Sequence, residues 1–247
     1  MAELLLLSNS VSPGRGYLEH ALDMLGELVP RGGRLLFVPF AAAGHDVYTE
    51  RIAAALAPLG AEVTGAHQVG DPARAAREAD AVFVGGGNSF RLLAELERTG
   101  LTVAIPEAVR DGRAYIGSSA GTNMACPSLR TTNDMPIVQP GSFRALGLVP
   151  FQVNAHYIDV GPAGFKGETR ADRIEEFLEC NDVAVIGLRE GAWIRVSGDR
   201  AWLGGGLPAT VFTRDCPAGQ ELADGSDLSG YLALTPRFDV PGESRWP

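Results

Sequence analysis

Short apolar runs alternating with stretches of helical spacing constrain this sequence more than any other feature. Leu4–Leu7, Leu35–Phe40, Ala81–Val84, Ala114–Ile116, Val183–Leu188 and Trp193–Val196 read as buried strands. Between the first two, Tyr17, Leu18, Ala21, Leu22, Leu25 and Leu28 recur at helical intervals, and Val47, Ile52, Ala55, Leu56 and Leu59 repeat the pattern further on. Asn88 or Ser89 is placed to cap a helix that buries Leu92, Leu93 and Leu96. Pro106–Arg110 supplies a short helix, and Thr169-x-x-Asp172 opens another with Ile174, Phe177 and Leu178 inward. Such alternation predicts an α/β fold: a doubly wound, mostly parallel sheet with helices on both faces. No repeat and no Ser- or Pro-rich linker interrupts it, so residues 1–247 are expected to form one domain. From about Asp215 the periodicity fades into what reads as a surface strand pair and a loose tail.

Composition narrows the function. With 45% hydrophobic and 21% charged residues the chain can bury a sizeable core, and a net charge of −9 argues against nucleic acid or anionic membrane as partner. Three scattered cysteines, Cys126, Cys180 and Cys216, suit neither a disulfide framework nor a zinc site, and free thiols suit a reducing cytoplasm. Met1–Asn9 lacks the basic start of a secretory leader, and no apolar run is long enough to span a bilayer. A cytoplasmic, globular protein is expected.

In a parallel sheet, ligands bind outside the carboxyl ends of the strands, which directs attention to polar residues that follow a strand. Gly85-Gly86-Gly87-Asn88 follows one; adjacent glycines let backbone N–H groups face a ligand at a helix start, although the spacing is not that of a dinucleotide fingerprint. Gly117-Ser118-Ser119-Ala120-Gly121 follows another and fits G-x-S-x-G, the strained elbow that exposes a nucleophile, with Ser119 at its centre. A serine hydroxyl needs a base to take its proton, and His156, at the end of the extended segment Phe151–His156, shares the expected crevice. Glu190, just past the Val183–Leu188 strand, is one candidate to orient that imidazole; Asp134, in an irregular run, is the other.

Taken together and in order, these motifs resemble peptidase E, the family of α-aspartyl dipeptidases. The resemblance rests on LLLLSN (4–9), GGGNSF (85–90), GSSAGTN (117–123), RTTNDMPIV (130–138), KGETR (166–170) and IGLREG (186–191). It implies a sheet related to class I glutamine amidotransferase domains, with serine in place of their cysteine. It also implies hydrolysis of dipeptides that begin with aspartate, through an acyl-enzyme on Ser119, with neither metal nor organic cofactor. On matching positions, Ser119 is the nucleophile and His156 the base, and both Asp134 and Glu190 remain candidates for the third member. Backbone N–H groups of Gly87 and Ala120 would hold the oxyanion. Arg170 is the first choice for the substrate carboxylate, ahead of Arg130 and Lys166, because a guanidinium pairs with a carboxylate through two hydrogen bonds; Asn88 is a further substrate-binding candidate. Departures are Ala155 before the histidine and Ser118 before the nucleophile, where the family has proline and a bulky residue. The partner expected is a small peptide, and the assembly a monomer or homodimer. Alternatives are a cyanophycinase-like hydrolase of the same superfamily and a non-catalytic anion-binding module on the same fold; a nucleotide-dependent oxidoreductase is the weakest.

Overall fold

Strands β1 (Glu3–Leu7), β2 (Arg34–Val38), β3 (Glu62–Gly65), β4 (Ala81–Val84) and β5 (Ala114–Ser118) alternate with helices α1 (Leu22–Leu28), α2 (His45–Leu56), α3 (Pro72–Glu78), α4 (Ser89–Arg98) and α5 (Leu101–Arg110). The structure, a computed structural model, describes residues 1–12, 14–159 and 167–240. The five strands lie parallel in the order β3-β2-β4-β5-β1, and β8 (Trp193–Ser197) and β9 (Arg200–Gly204) extend the β1 edge antiparallel to make seven. The expected large, mostly parallel sheet flanked by helices is therefore observed.

Continuous, mostly apolar runs form β1, β2, β4 and β5 because both faces of the sheet are covered there. Successive side chains point to opposite faces, so Leu4 and Leu6 pack with Leu92, Leu96, Ile105 and Met124, whereas Leu5 and Leu7 pack with Leu25, Ile52 and Leu56. Asn88 caps α4 by accepting N–H bonds from Phe90 and Arg91 at 3.1 Å each. At α7 (Arg170–Cys180) the predicted capping box forms between Thr169 and Asp172.

Three helix expectations need correction. The first helix begins only at Leu22, behind a 3-10 turn at Glu19–Ala21, because Leu18 has φ 61°, outside the right-handed helical region. Val47 lies on the solvent side of α2 and is 63% exposed. The helix containing Pro106 starts five residues earlier than that proline, at Leu101, since Gly100 in a left-handed conformation lets the chain turn directly out of α4.

A second sheet, not distinguished at the sequence level, has the order β11-β10-β7-β6. Its strands β6 (Gln152–Tyr157) and β7 (Val185–Arg189) are parallel, and β10 (Ala209–Thr213) and β11 (Cys216–Leu222) add as an antiparallel pair. The expected surface strand pair is thus partly internal, since β10 is mostly buried against β7. The expected loose tail is instead docked through residue 240: after α8 (Ser229–Leu232) the segment pairs Asp182 with Arg237 and Arg130 with Asp239.

Candidate active site

Ser119 stands between β5 and α6 (Ala120–Ala125) with φ 55° and ψ −113°. Such a conformation costs a non-glycine residue about 1–3 kcal/mol, and here the surroundings hold it. Ser119 N–H donates to the carbonyl of Leu7 at the end of β1 (3.0 Å), and Thr122 Oγ1 donates to the same oxygen (2.6 Å). Gly121 is needed because a Cβ there would come within 2.0 Å of the Val84 carbonyl oxygen, so no larger residue lets α6 leave this close to β4. Ser118, the neighbouring hydroxyl, is fully buried and bonded to Ser10 Oγ at 2.6 Å.

His156 reaches Ser119 from the second sheet. It also has a positive φ, 55°, where the β6–β7 register shifts between Ala155 and Tyr157. A bulge re-aims a side chain, and this one brings His156 Nε2 to 2.8 Å from Ser119 Oγ. On the other side of the ring, Nδ1 lies 2.6 Å from Glu190 Oε1. The bulge is fastened by Ser8: its Oγ accepts the His156 N–H (2.9 Å) and donates to the Leu188 carbonyl (2.8 Å). Asn9 Oδ1 accepts the Gly191 N–H at 2.8 Å, which fixes the turn carrying Glu190. The imidazole and carboxylate side chains are 41% and 54% exposed, so solvent screens their attraction, and the fastened backbone is what sets their geometry.

The other acid is placed differently. Asp134 Oδ2 accepts from Ser89 N–H (2.7 Å), Ser89 Oγ (2.6 Å) and Thr132 Oγ1 (3.3 Å), at the start of α4. Asn88 uses Oδ1 for its cap and donates from Nδ2 to the Met135 carbonyl (2.8 Å), so its carboxamide is committed to the fold. Arg130 is likewise committed, to Asp239 and Asn181, far along the chain from the elbow. Lys166 lies outside the described residues. Arg170 remains. Its Nη1 donates to Asn133 Oδ1 at 2.5 Å, and Asn133 Nδ2 in turn donates to the Ala155 carbonyl at 2.8 Å, one residue from His156. Among the described residues no carboxylate forms an ion pair with Arg170. Burial, and then Arg173, lowers its pKa from the ordinary value, with Asp134 opposing; the guanidinium still carries its charge at neutral pH.

Beside Ser119 runs the glycine turn, where a Cβ on Gly86 would lie 3.0 Å from Ser119 Cβ. Among the described residues neither Gly87 N–H nor Ala120 N–H has a protein acceptor. Sequence reasoning passed over Ser8, Asn9 and Asn133, which fasten the backbone at or beside His156 and Glu190. Ser8 and Asn9 follow β1 directly, so the rule that drew attention to polar residues after a strand applies to them as well.

The hydroxyl–imidazole–carboxylate chain on this fold is the arrangement of a serine hydrolase. Comparison with known proteins narrows this class. A model of peptidase family S51 matches residues 4–204, and the chain belongs to that family. It is 62% identical over 238 residues to peptidase E of Streptomyces coelicolor, covering 96% of this chain and 98% of that one. Peptidase E of Citrobacter koseri is 51% identical over 222 residues, covering 89% and 95%. Among solved structures, a protein from Listeria monocytogenes EGD-e superposes with a TM-score of 0.64 at 26% identity, over 83% of this chain and 98% of that one. A peptidase from an acI-B1 actinobacterium shares the fold, with a TM-score of 0.67 at 18% identity, over 92% and 96%. Among the described residues no helix is long and apolar enough to cross a membrane.

Proposed function

We propose that this peptidase hydrolyses dipeptides whose first residue is aspartate, by way of an acyl-enzyme on Ser119. The observation that carries the reading is a charged Arg170 that has no carboxylate partner among the described residues and is linked through Asn133 to the residue next to His156. A half-buried cation favours an anionic ligand, and its fork matches a carboxylate.

In this reading Ser119 Oγ attacks the peptide carbonyl carbon while His156 Nε2 takes its proton. His156 then returns that proton to the departing amine as the C–N bond breaks. Water, deprotonated by His156, attacks the ester; the C–Oγ bond breaks, Ser119 Oγ takes the proton back from His156, and aspartate is released. Glu190 holds the tautomer with its proton on Nδ1, so that Nε2 is free to accept. Gly87 and Ala120 N–H groups receive the oxyanion. Asp134, held at Oδ2 beside Arg170, offers its other oxygen to the substrate α-ammonium. The free cysteines suit a reducing cytoplasm as its location.

The two acids are separable. Glu190→Gln is expected to lower turnover of a model ester without an α-amine by about 10²–10⁴, because the amide favours the wrong tautomer. Asp134→Asn should leave that ester's turnover near wild type and raise KM for Asp-Leu. An Asp134→Asn enzyme as crippled on the ester as Glu190→Gln would reverse the two roles.

The substrate class is tested with a dipeptide panel Xaa-Leu, varying only the first residue and including β-linked Asp-Leu. Highest kcat/KM is expected for α-linked Asp-Leu. Equal rates across the panel would remove the aspartate reading, and preference for the β-linked compound would turn it toward the cyanophycinase-like alternative.

A further inference from the structure

Tyr48 has no part in the chemistry described so far, yet its hydroxyl touches the glycine turn beside the nucleophile. Four consecutive backbone N–H groups make that turn. Gly85 N–H donates to the Val38 carbonyl (3.1 Å) and Asn88 N–H to the Ala41 carbonyl (2.9 Å), so both ends are tied to the end of β2 and the loop beyond it. Gly86 N–H donates to Tyr48 Oη at 2.8 Å. Gly87 N–H alone has no acceptor among the described residues. The turn is therefore fastened on both sides of its one open donor, and the only side chain among the fastenings is Tyr48.

We infer that Tyr48 is a positioning residue for this peptidase: by accepting the Gly86 N–H it sets the orientation of the glycine turn, and so the direction in which Gly87 N–H points toward the tetrahedral intermediate on Ser119. This rests on the acyl-transfer reading above.

The phenol is suited to the task. It projects from the first turn of α2, whose Tyr48 N–H donates to the Gly44 carbonyl at 3.0 Å. Its ring meets Phe37 edge to face at a centroid distance of 4.8 Å, which limits ring motion. Burial raises its pKa well above the ordinary phenol value, with Tyr17 adding to the effect, so the group stays neutral across the working range. A neutral oxygen accepts the amide without placing a negative charge near the developing oxyanion. Tyr17 Oη stands 3.5 Å away, a weak contact by comparison. Donors fixed before reaction are the ones that lower a barrier, because no reorganisation is needed as charge develops.

Removing one oxygen tests this. In Tyr48→Phe the ring and its packing stay, and kcat for Asp-Leu is expected to fall about 10-fold or more with KM within twofold, since loss of an oxyanion donor outright costs about 10²–10³. Affinity for a boronic acid analogue of the substrate, which forms a tetrahedral adduct on Ser119, should weaken by the same factor. Affinity for the reduced-amide Asp-Leu isostere, which has no carbonyl, should not change. Tyr17→Phe is the control and should match wild type. Unchanged kcat in Tyr48→Phe, or equal loss of boronate and isostere binding, would overturn the positioning role.

If Tyr48→Phe does not fold, site-specific fluorotyrosines at position 48, weaker acceptors of nearly the same shape, replace it: kcat should decline as fluorination increases, and a flat series rejects the inference. A wild-type enzyme that forms no tetrahedral boron adduct by ¹¹B NMR would instead reject the acyl-transfer reading itself, which keeps the two failures distinct.

Discussion

Ser119→Ala is expected to lower kcat for Asp-Leu by about 10⁶, and His156→Ala by a similar factor, because each group is useless to the reaction without the other. The double variant should be no worse than either single one. Nε2 lies 2.8 Å from Oγ, within proton-transfer distance. Folding should be unaffected in Ser119→Ala: the residue keeps its N–H bond to Leu7, and the change removes one oxygen at a half-open surface. Single-turnover hydrolysis and fluorophosphonate labelling are the measurements. Wild type should be labelled at Ser119 and Ser119→Ala should not. Labelling retained in Ser119→Ala would move the nucleophile elsewhere.

The second large effect concerns Arg170. Arg170→Met keeps the length and apolar stem of the side chain and removes the fork. Truncating one partner of a desolvated charge pair costs about 2–5 kcal/mol; since Arg170 is only partly buried, the lower part of that range applies, about 30- to 150-fold in kcat/KM for Asp dipeptides. Turnover of an ester without a side-chain carboxylate should be close to wild type, and so should the fluorophosphonate labelling rate. The loss is therefore selective. Normal cleavage of Asp-Leu by Arg170→Met would detach Arg170 from the substrate side chain. Asn133 enters the same expectation, because among the described residues it is the guanidinium's one hydrogen-bond partner.

Local signals made β1, β2, β4, β5, most helices and the residues after strand ends legible in the sequence, whereas β3, a half-exposed edge strand with the sequence EVTG, carried no apolar run to announce it. Leu4–Leu7 could only be a two-sided buried strand, and G-x-S-x-G carries its own steric reason in Gly121. What was not legible depends on long-range pairing. Nothing local separates β7 from the strands of the large sheet: Val183–Leu188 is an apolar run like the rest, and its membership of the second sheet is fixed by pairing with β6 and β10. The choice between Asp134 and Glu190 was open for the same reason. Asp134 sits in a loop whose destination, the start of α4, depends on Ser89, 45 residues away. His156 could be named as a base, but its positive φ and the bulge that aims it are invisible in a one-letter string. Asn88 could be named both as a helix cap and as a substrate ligand, because both roles draw on the same chemistry of a carboxamide at a helix start, and the structure shows the cap.

Ser119 follows β5, the middle strand of the seven-stranded sheet, whereas His156 and Glu190 belong to the four-stranded one, and Ser8 stitches the two together. Neither sheet holds the whole hydroxyl–imidazole–carboxylate chain, so a substitution that shifts one sheet against the other is expected to part Ser119 Oγ from His156 Nε2 while leaving the pairing within each sheet intact.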